Sequence, residues 1–176
     1  MLFNPTEIAG TFLIQPERRE DERGFFARTW CEREFVEHGI DPRVVQRSVS
    51  FNRQRGTLRG MHFQVGPHVE NKLVSCSAGS VYDVVLDLRP ASPSYKRWQA
   101  FTLTAAAMDA LFIPGGCAHG FITLEDGAVV RYDISEFYLP AAERGLRYDD
   151  PAFAIHWPLA PVVISARDLG FPPYAG

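Results

Sequence analysis

The chain has 176 residues, of which 46% are hydrophobic and 22% charged, with a formal net charge of −3. That length suffices for one domain with a substantial buried core, and the mild negative balance gives no electrostatic case for nucleic acid or an anionic membrane. No apolar run reaches the roughly 18 residues that span a bilayer, "MLFNPTEIAG" lacks the basic-then-apolar pattern of a secretory leader, and the odd, unpatterned Cys31, Cys76 and Cys117 predict reduced thiols and a cytoplasmic location.

From the N-terminus onward the recurring signal is strand. "GTFLIQPER" (10–18) is the first short apolar stretch, and "CEREFVEHG" (31–39) is the one convincing helix, with Phe35 and Val36 facing inward and Gly39 suited to the C-terminal cap. Strands are then expected over 44–52, 57–64, 72–79, 80–89, 97–104, 110–125 and 128–138, many of them β-branched or aromatic and often bounded by Gly, Pro, Asn or Asp. "AG" at 78–79 and "EDG" at 125–127 read as hairpin turns. Many strands with few helices predict a sandwich or barrel. No repeat, low-complexity tract or linker divides the chain, so residues 1–176 read as one domain, with 139–176 wrapping the barrel in loops.

Of the five histidines, His38, His68 and His156 sit in surface or loop contexts. His62, in "GTLRGMHFQ" (56–64), and His119, in "FIPGGCAHGF" (112–121), sit in apolar strands, where a buried imidazole must have its nitrogens satisfied. The spacings G-x5-H at 56–62 and P-x-G-x2-H at 114–119 match parts of the two motifs of cupin jelly rolls. A metal-binding cupin needs further ligands, yet position 64 is Gln and Glu70 falls too far along, leaving a poor transition-metal site. Chemistry without a metal then requires a base, an acid and a charge stabiliser from side chains. Arg59 and Lys72 are cations in otherwise apolar strands, and Asp83 and Asp87 share one sheet face among valines and leucines. Tyr132 and Tyr138 could be core aromatics or phenolic acids, and local context alone favours the core.

Taken together, "DERGFF" (21–26), "LRGMHFQ" (58–64), "KLVSCSAGSVYDVVLDLRPASPSY" (72–95), "FIPGGCAHGF" (112–121), "EFYLPAAERGLRYDDPAFAIHWP" (136–158) and "SARD" (165–168) resemble, in order and over most of the chain, the dTDP-4-dehydrorhamnose 3,5-epimerase family. The resemblance implies a mainly β, cupin-type jelly-roll barrel, a homodimer, no metal and no cofactor, and a nucleotide-diphosphate sugar as substrate. It casts His62 as the base that removes the proton beside a ketone, Asp168 as the carboxylate orienting that histidine, Tyr132 as the acid on the opposite face, and Lys72 as the group near the enolate oxygen. It places Arg23, Phe25, Gln46, Arg59, His119, Tyr138, Glu143 and Arg167 around the nucleotide sugar, with Asp83 in support and the 21–28 arm reaching the neighbouring subunit's site.

The chain departs from the family pattern in two places. Arg28 stands where an acid usually follows "RGFF", and "QRSVS" (46–50) replaces a Q-D-N-H-S segment, keeping Gln46 but introducing Arg47, Ser48 and Val49. These exchanges predict an altered choice of nucleotide or of the carbons inverted. Competing readings are a single-position epimerase or ketoisomerase on another nucleotide sugar, and a non-catalytic sugar-binding cupin. The last would need the arginines but not His62, Lys72, Tyr132 and Asp168 together.

Overall fold

Alternation of β-branched and aromatic residues with polar ones dominates the chain, and the backbone follows it into strands. The computed structural model describes residues 1–174, so the last two residues of the tail expected to wrap the barrel lie outside the described residues. In chain order the elements are β1 (Leu2–Pro5), β2 (Phe12–Gln15), β3 (Arg19–Asp21), β4 (Gly24–Phe26), α1 (Glu32–Glu37), β5 (Gln46–Asn52), β6 (Leu58–Gln64), β7 (Lys72–Ala78), β8 (Ser80–Asp87), β9 (Trp98–Thr104), β10 (Ala110–Ile113), β11 (Cys117–Thr123), β12 (Ala128–Ile134), β13 (Glu143–Gly145) and α2 (Ala166–Leu169).

The strands form an antiparallel six-stranded sheet in the order β1-β2-β10-β7-β12-β5 and a five-stranded sheet in the order β13-β6-β11-β8-β9. Their inner faces meet in a core containing Val74 and Cys76 of β7, Leu111 and Ile113 of β10, Val81 and Val85 of β8, and Phe121 of β11. This is the mainly β, cupin-like jelly roll that the motif spacings and the family resemblance imply. On the outside of the five-stranded sheet, Met61, Val84, Leu86 and Ala118 pack against Leu146, Phe153 and Trp157 of the tail. On the outside of the other sheet, Ile14 and Phe112 pack against Phe35 and Ile40.

Several local expectations need correction. "AG" at 78–79 and "EDG" at 125–127 are not hairpins: β7 and β12 belong to one sheet, β8 and β11 to the other, so each turn is a corner handing the chain across the core. The stretch 110–125 is two strands, β10 and β11, in different sheets. They are parted at Pro114–Gly116, where proline removes a ladder donor and Gly116 has a φ of 87°. The tail also supplies an edge strand, β13, and a helical turn, α2, in addition to loops.

Helix α1 ends as expected at Gly39. Gly39 N–H donates to Val36 O and Ile40 N–H to Phe35 O, the paired bonds of a Schellman motif. Phe35 is buried, but Val36 is 58% exposed, because consecutive helical positions lie about 100° apart and only one can face the sheet.

Two surfaces are left open. β5 is an edge strand with Val49 and Phe51 exposed, and the β3–β4 hairpin pairs only with itself, leaving Phe26 73% exposed. All three cysteines are free thiols, and no helix among the described residues is long and apolar enough to cross a membrane.

Candidate active site

Arg59 and His62 are three positions apart, an odd spacing that puts side chains on opposite faces of a regular strand. Pairing with β11 removes the conflict. His62 lies opposite His119 and Arg59 opposite Phe121, so β6 covers three steps where β11 covers two. The extra residue is a bulge, and it returns Arg59 to the face that His62 occupies. Gly60 permits it: its φ is 131°, and a Cβ there would lie 2.5 Å from the Gly120 Cα.

His62 and Arg59 line a cavity of about 410 Å³ together with Val163, Ser165, Arg167 and Asp168 from the tail. His62 Nε2 is 2.9 Å from Asp168 Oδ1, and Gly60 N–H donates to the other carboxylate oxygen at 3.1 Å. One side chain thus holds both the bulge and the imidazole. Asp168 is itself fixed by α2, whose first turn is capped by Ser165 Oγ accepting from Asp168 N–H at 3.0 Å. Burial pushes the Asp168 carboxyl up, but the hydrogen bond and charge of His62, with the Gly60 and Ser165 bonds, outweigh it and hold the group below its ordinary range. Phe171 packs edge-on against the imidazole, with ring centroids 5.8 Å apart.

Deeper between the sheets, His119 Nε2 contacts both oxygens of Asp83 at 2.9 and 2.8 Å. Tyr132 of β12 stands across from it, ring centroids 6.0 Å apart. Burial raises the Tyr132 phenol well above its ordinary value, and the Asp83 carboxylate adds to the rise, so the hydroxyl stays protonated at neutral pH. Lys72 Nζ donates to the carbonyl of His62 at 3.3 Å. Asp87, the other acid on the Asp83 face, is not in this site; it is fully buried and binds Arg89, Ser92 and Ser94.

At the rim, Gln46 Oε1 accepts from Tyr138 N–H at 2.8 Å and the Tyr138 hydroxyl donates to Glu143 at 2.5 Å. Glu143 pairs with Arg167. Burial opposes ionisation of Glu143, but Arg167 and Tyr138 hold its carboxyl below the ordinary range. Arg23 and Phe25 are not brought to the cavity within this chain. Arg23 is paired with Asp21 at 2.6 Å, and Phe25 lies under the Arg18 guanidinium at 4.5 Å, both on the isolated hairpin. Arg28 and Arg47 are each paired inside the chain, with Glu34 at 2.8 Å and Asp133 at 2.9 Å.

The structure adds residues that sequence reasoning passed over. Asn52 Oδ1 accepts from Arg59 Nε at 2.8 Å, fixing that guanidinium across the gap between the sheets. Glu70 lies 3.0 Å from Lys72 Nζ. Its spacing of two from Lys72, which shares a face in extended chain, was the available signal. Gln64, at a cupin ligand position, has its amide committed elsewhere: Nε2 donates to Glu70, to His68 O at 3.1 Å and to Phe137 O at 3.2 Å, while Oε1 accepts from Leu139 N–H at 2.7 Å. Among the described residues no group of three His, Cys, Asp or Glu side chains could hold a metal ion.

Comparison with known proteins points to one family. The family model described as dTDP-4-dehydrorhamnose 3,5-epimerase matches residues 5–175. A protein of that name from Methanothermobacter thermautotrophicus is 40% identical over 174 residues, covering 97% of this chain and 93% of the relative. The crystal structure of the Elizabethkingia anophelis protein of that name superposes with a TM-score of 0.96 at 33% identity, covering 99% of this chain and 96% of the other. A Legionella pneumophila dTDP-6-deoxy-D-glucose-3,5-epimerase, solved in complex with dTDP-4-keto-L-rhamnose, superposes with a TM-score of 0.89 at 34% identity and 99% coverage of both chains. With its jelly roll, its His62–Asp168 and His119–Asp83 pairs and a match along nearly its whole length, the chain belongs to the dTDP-4-dehydrorhamnose 3,5-epimerase family.

Proposed function

We propose that this chain inverts C3 and C5 of dTDP-4-keto-6-deoxyglucose, giving dTDP-4-keto-rhamnose. The observation that carries the reading is the His62–Asp168 dyad at the wall of a cavity that also holds two arginines. The C4 carbonyl acidifies the protons on both neighbouring carbons. With His62 Nε2–H donated to Asp168, Nδ1 carries the lone pair that takes such a proton, the carboxylate fixing the tautomer and supporting the imidazolium. The electron pair of the broken C–H bond moves onto the C4 oxygen, where the Lys72 ammonium stabilises the enolate. Tyr132 returns a proton to the opposite face, and the configuration inverts. His119, held by Asp83, completes the inner wall. Arg59 and Arg167 suit the diphosphate, whose oxygens accept paired N–H bonds from guanidinium. Tyr138, Glu143 and Gln46 frame the nucleotide end.

The dTDP assignment gains support from the family and from the fate of Arg28 and Arg47. Each guanidinium is satisfied by a carboxylate of its own chain, so neither adds an uncompensated charge for a different nucleotide. We read the isolated hairpin, with Arg23 and Phe25, as the arm that completes the neighbouring site of a homodimer, and residues 1–176 as one domain working in the cytoplasm, where three free thiols persist. The test is proton NMR of the protein with dTDP-4-keto-6-deoxyglucose in deuterated water. Loss of both the C3 and C5 proton signals is expected. Loss of one signal would make this a single-position epimerase, and an unchanged spectrum would defeat the reading.

A further inference from the structure

We propose that Glu70 is a positioning residue for Lys72, holding its ammonium in place so that it keeps an N–H for the substrate's carbonyl oxygen. This rests on the reading of Lys72 as the group beside the enolate. The side chains of Glu70 and Lys72 are each only 10% exposed and meet at 3.0 Å. An ammonium has three N–H donors. Among the described residues, the carbonyl of His62 accepts one, and Glu70 Oε1 holds the ammonium as an ion pair at 3.0 Å. The strand neighbours of Lys72 are Ile113 on β10 and Ile134 on β12, which offer no acceptor side chain.

A four-carbon stem left to itself samples many rotamers, and a buried ammonium without a counter-charge is strongly disfavoured. Glu70 removes both problems. Its own geometry is fixed in turn, because its second oxygen accepts from Gln64 Nε2 and Gln64 is 3% exposed. Gln64 also grips Phe137 and Leu139, which flank Tyr138. The chain Lys72–Glu70–Gln64 therefore ties the enolate-side ammonium to the segment at the nucleotide rim.

Lys72 and Lys96 are the only lysines in the sequence, so protein labelled with ¹⁵N-lysine gives two side-chain ammonium signals. In the wild-type protein the Lys72 signal should exchange with water about tenfold more slowly than that of Lys96, because its side chain is 10% exposed and its ammonium is held by the Glu70 ion pair. In Glu70→Gln that protection should vanish. The same variant should lower kcat for solvent exchange into dTDP-4-keto-6-deoxyglucose about tenfold, with KM changed by less than about threefold. Glu70→Asp, which keeps the charge on a shorter stem, should fall between the two on both measurements, and it decides the question if the Gln variant does not fold. Unchanged protection of Lys72, an unchanged kcat, or a loss confined to KM would overturn the proposal. If the wild-type protein itself shows no exchange into the sugar, the epimerase reading fails, and the ammonium spectra alone decide whether Glu70 positions Lys72.

Discussion

At Asp168 one carboxylate does two jobs, accepting from the bulged Gly60 N–H and from His62. Replacing it with Asn keeps the shape and removes the charge that fixes the imidazole. Asp168→Asn should lower kcat about 10³-fold, in the range seen when a histidine loses its orienting carboxylate, with KM little changed. The variant should also differ in acid. A carboxyl whose folded value is depressed stabilises the fold above its unfolded value and loses that contribution as pH falls through the folded one. Asp168 is held below the ordinary range, so wild-type stability measured by chemical denaturation should fall below about pH 4, and Asp168→Asn should lack that portion of the fall. The pairing of His62 with Asp168 was anticipated through motif resemblance, whereas that of Glu70 with Lys72 had only a spacing of two to announce it. Glu70 lies just before β7, outside any motif, and its role exists only because Lys72 and Gln64 converge on it in space.

Among the elements, β6 carries the most consequence. The sequence "LRGMHFQ" reads as a plain strand, and a plain strand would separate Arg59 from His62. The register with β11 shows the bulge that reunites them, and nothing in the alternation of residues announces a bulge except the glycine. Gly60→Ala should therefore be severe. Its methyl would meet the Gly120 backbone at 2.5 Å in a φ region that disfavours side chains, at a cost of about 3 kcal/mol. Thermal denaturation should show the loss, and any folded fraction should bind nucleotide sugar less well because Arg59 and His62 are no longer held on one face. The misread turns at 78–79 and 125–127 have a related cause. Local residues report that the chain reverses direction, but whether it returns to the same sheet or crosses to the other is decided by the packing of both sheets.

For the whole molecule, the strand-rich sequence made a sandwich or barrel legible and the motif resemblance made it a jelly roll, while the assignment of each strand to a sheet was not legible, since every strand buries one face in either sheet. The open features are the self-paired hairpin and the exposed edge at β5. If Arg23 completes a neighbouring site, then Arg23→Ala and His62→Asn homodimers should each be nearly inactive. Exchanging subunits between them should restore activity toward about a quarter of wild type, because half of the dimers are mixed and each mixed dimer has one intact site. No recovery after verified subunit exchange would confine the site to one chain. The 106 residues that separate His62 from Asp168 along the chain have a consequence for biosynthesis. Both sheets except β13 are encoded before residue 135, yet His62 meets the Asp168 carboxylate only when α2 has emerged from the ribosome and docked. Until Asp168 has emerged, a nascent chain is a nearly complete pair of sheets whose His62 lacks the partner that fixes its imidazole, and on the proposed mechanism turnover waits for that segment.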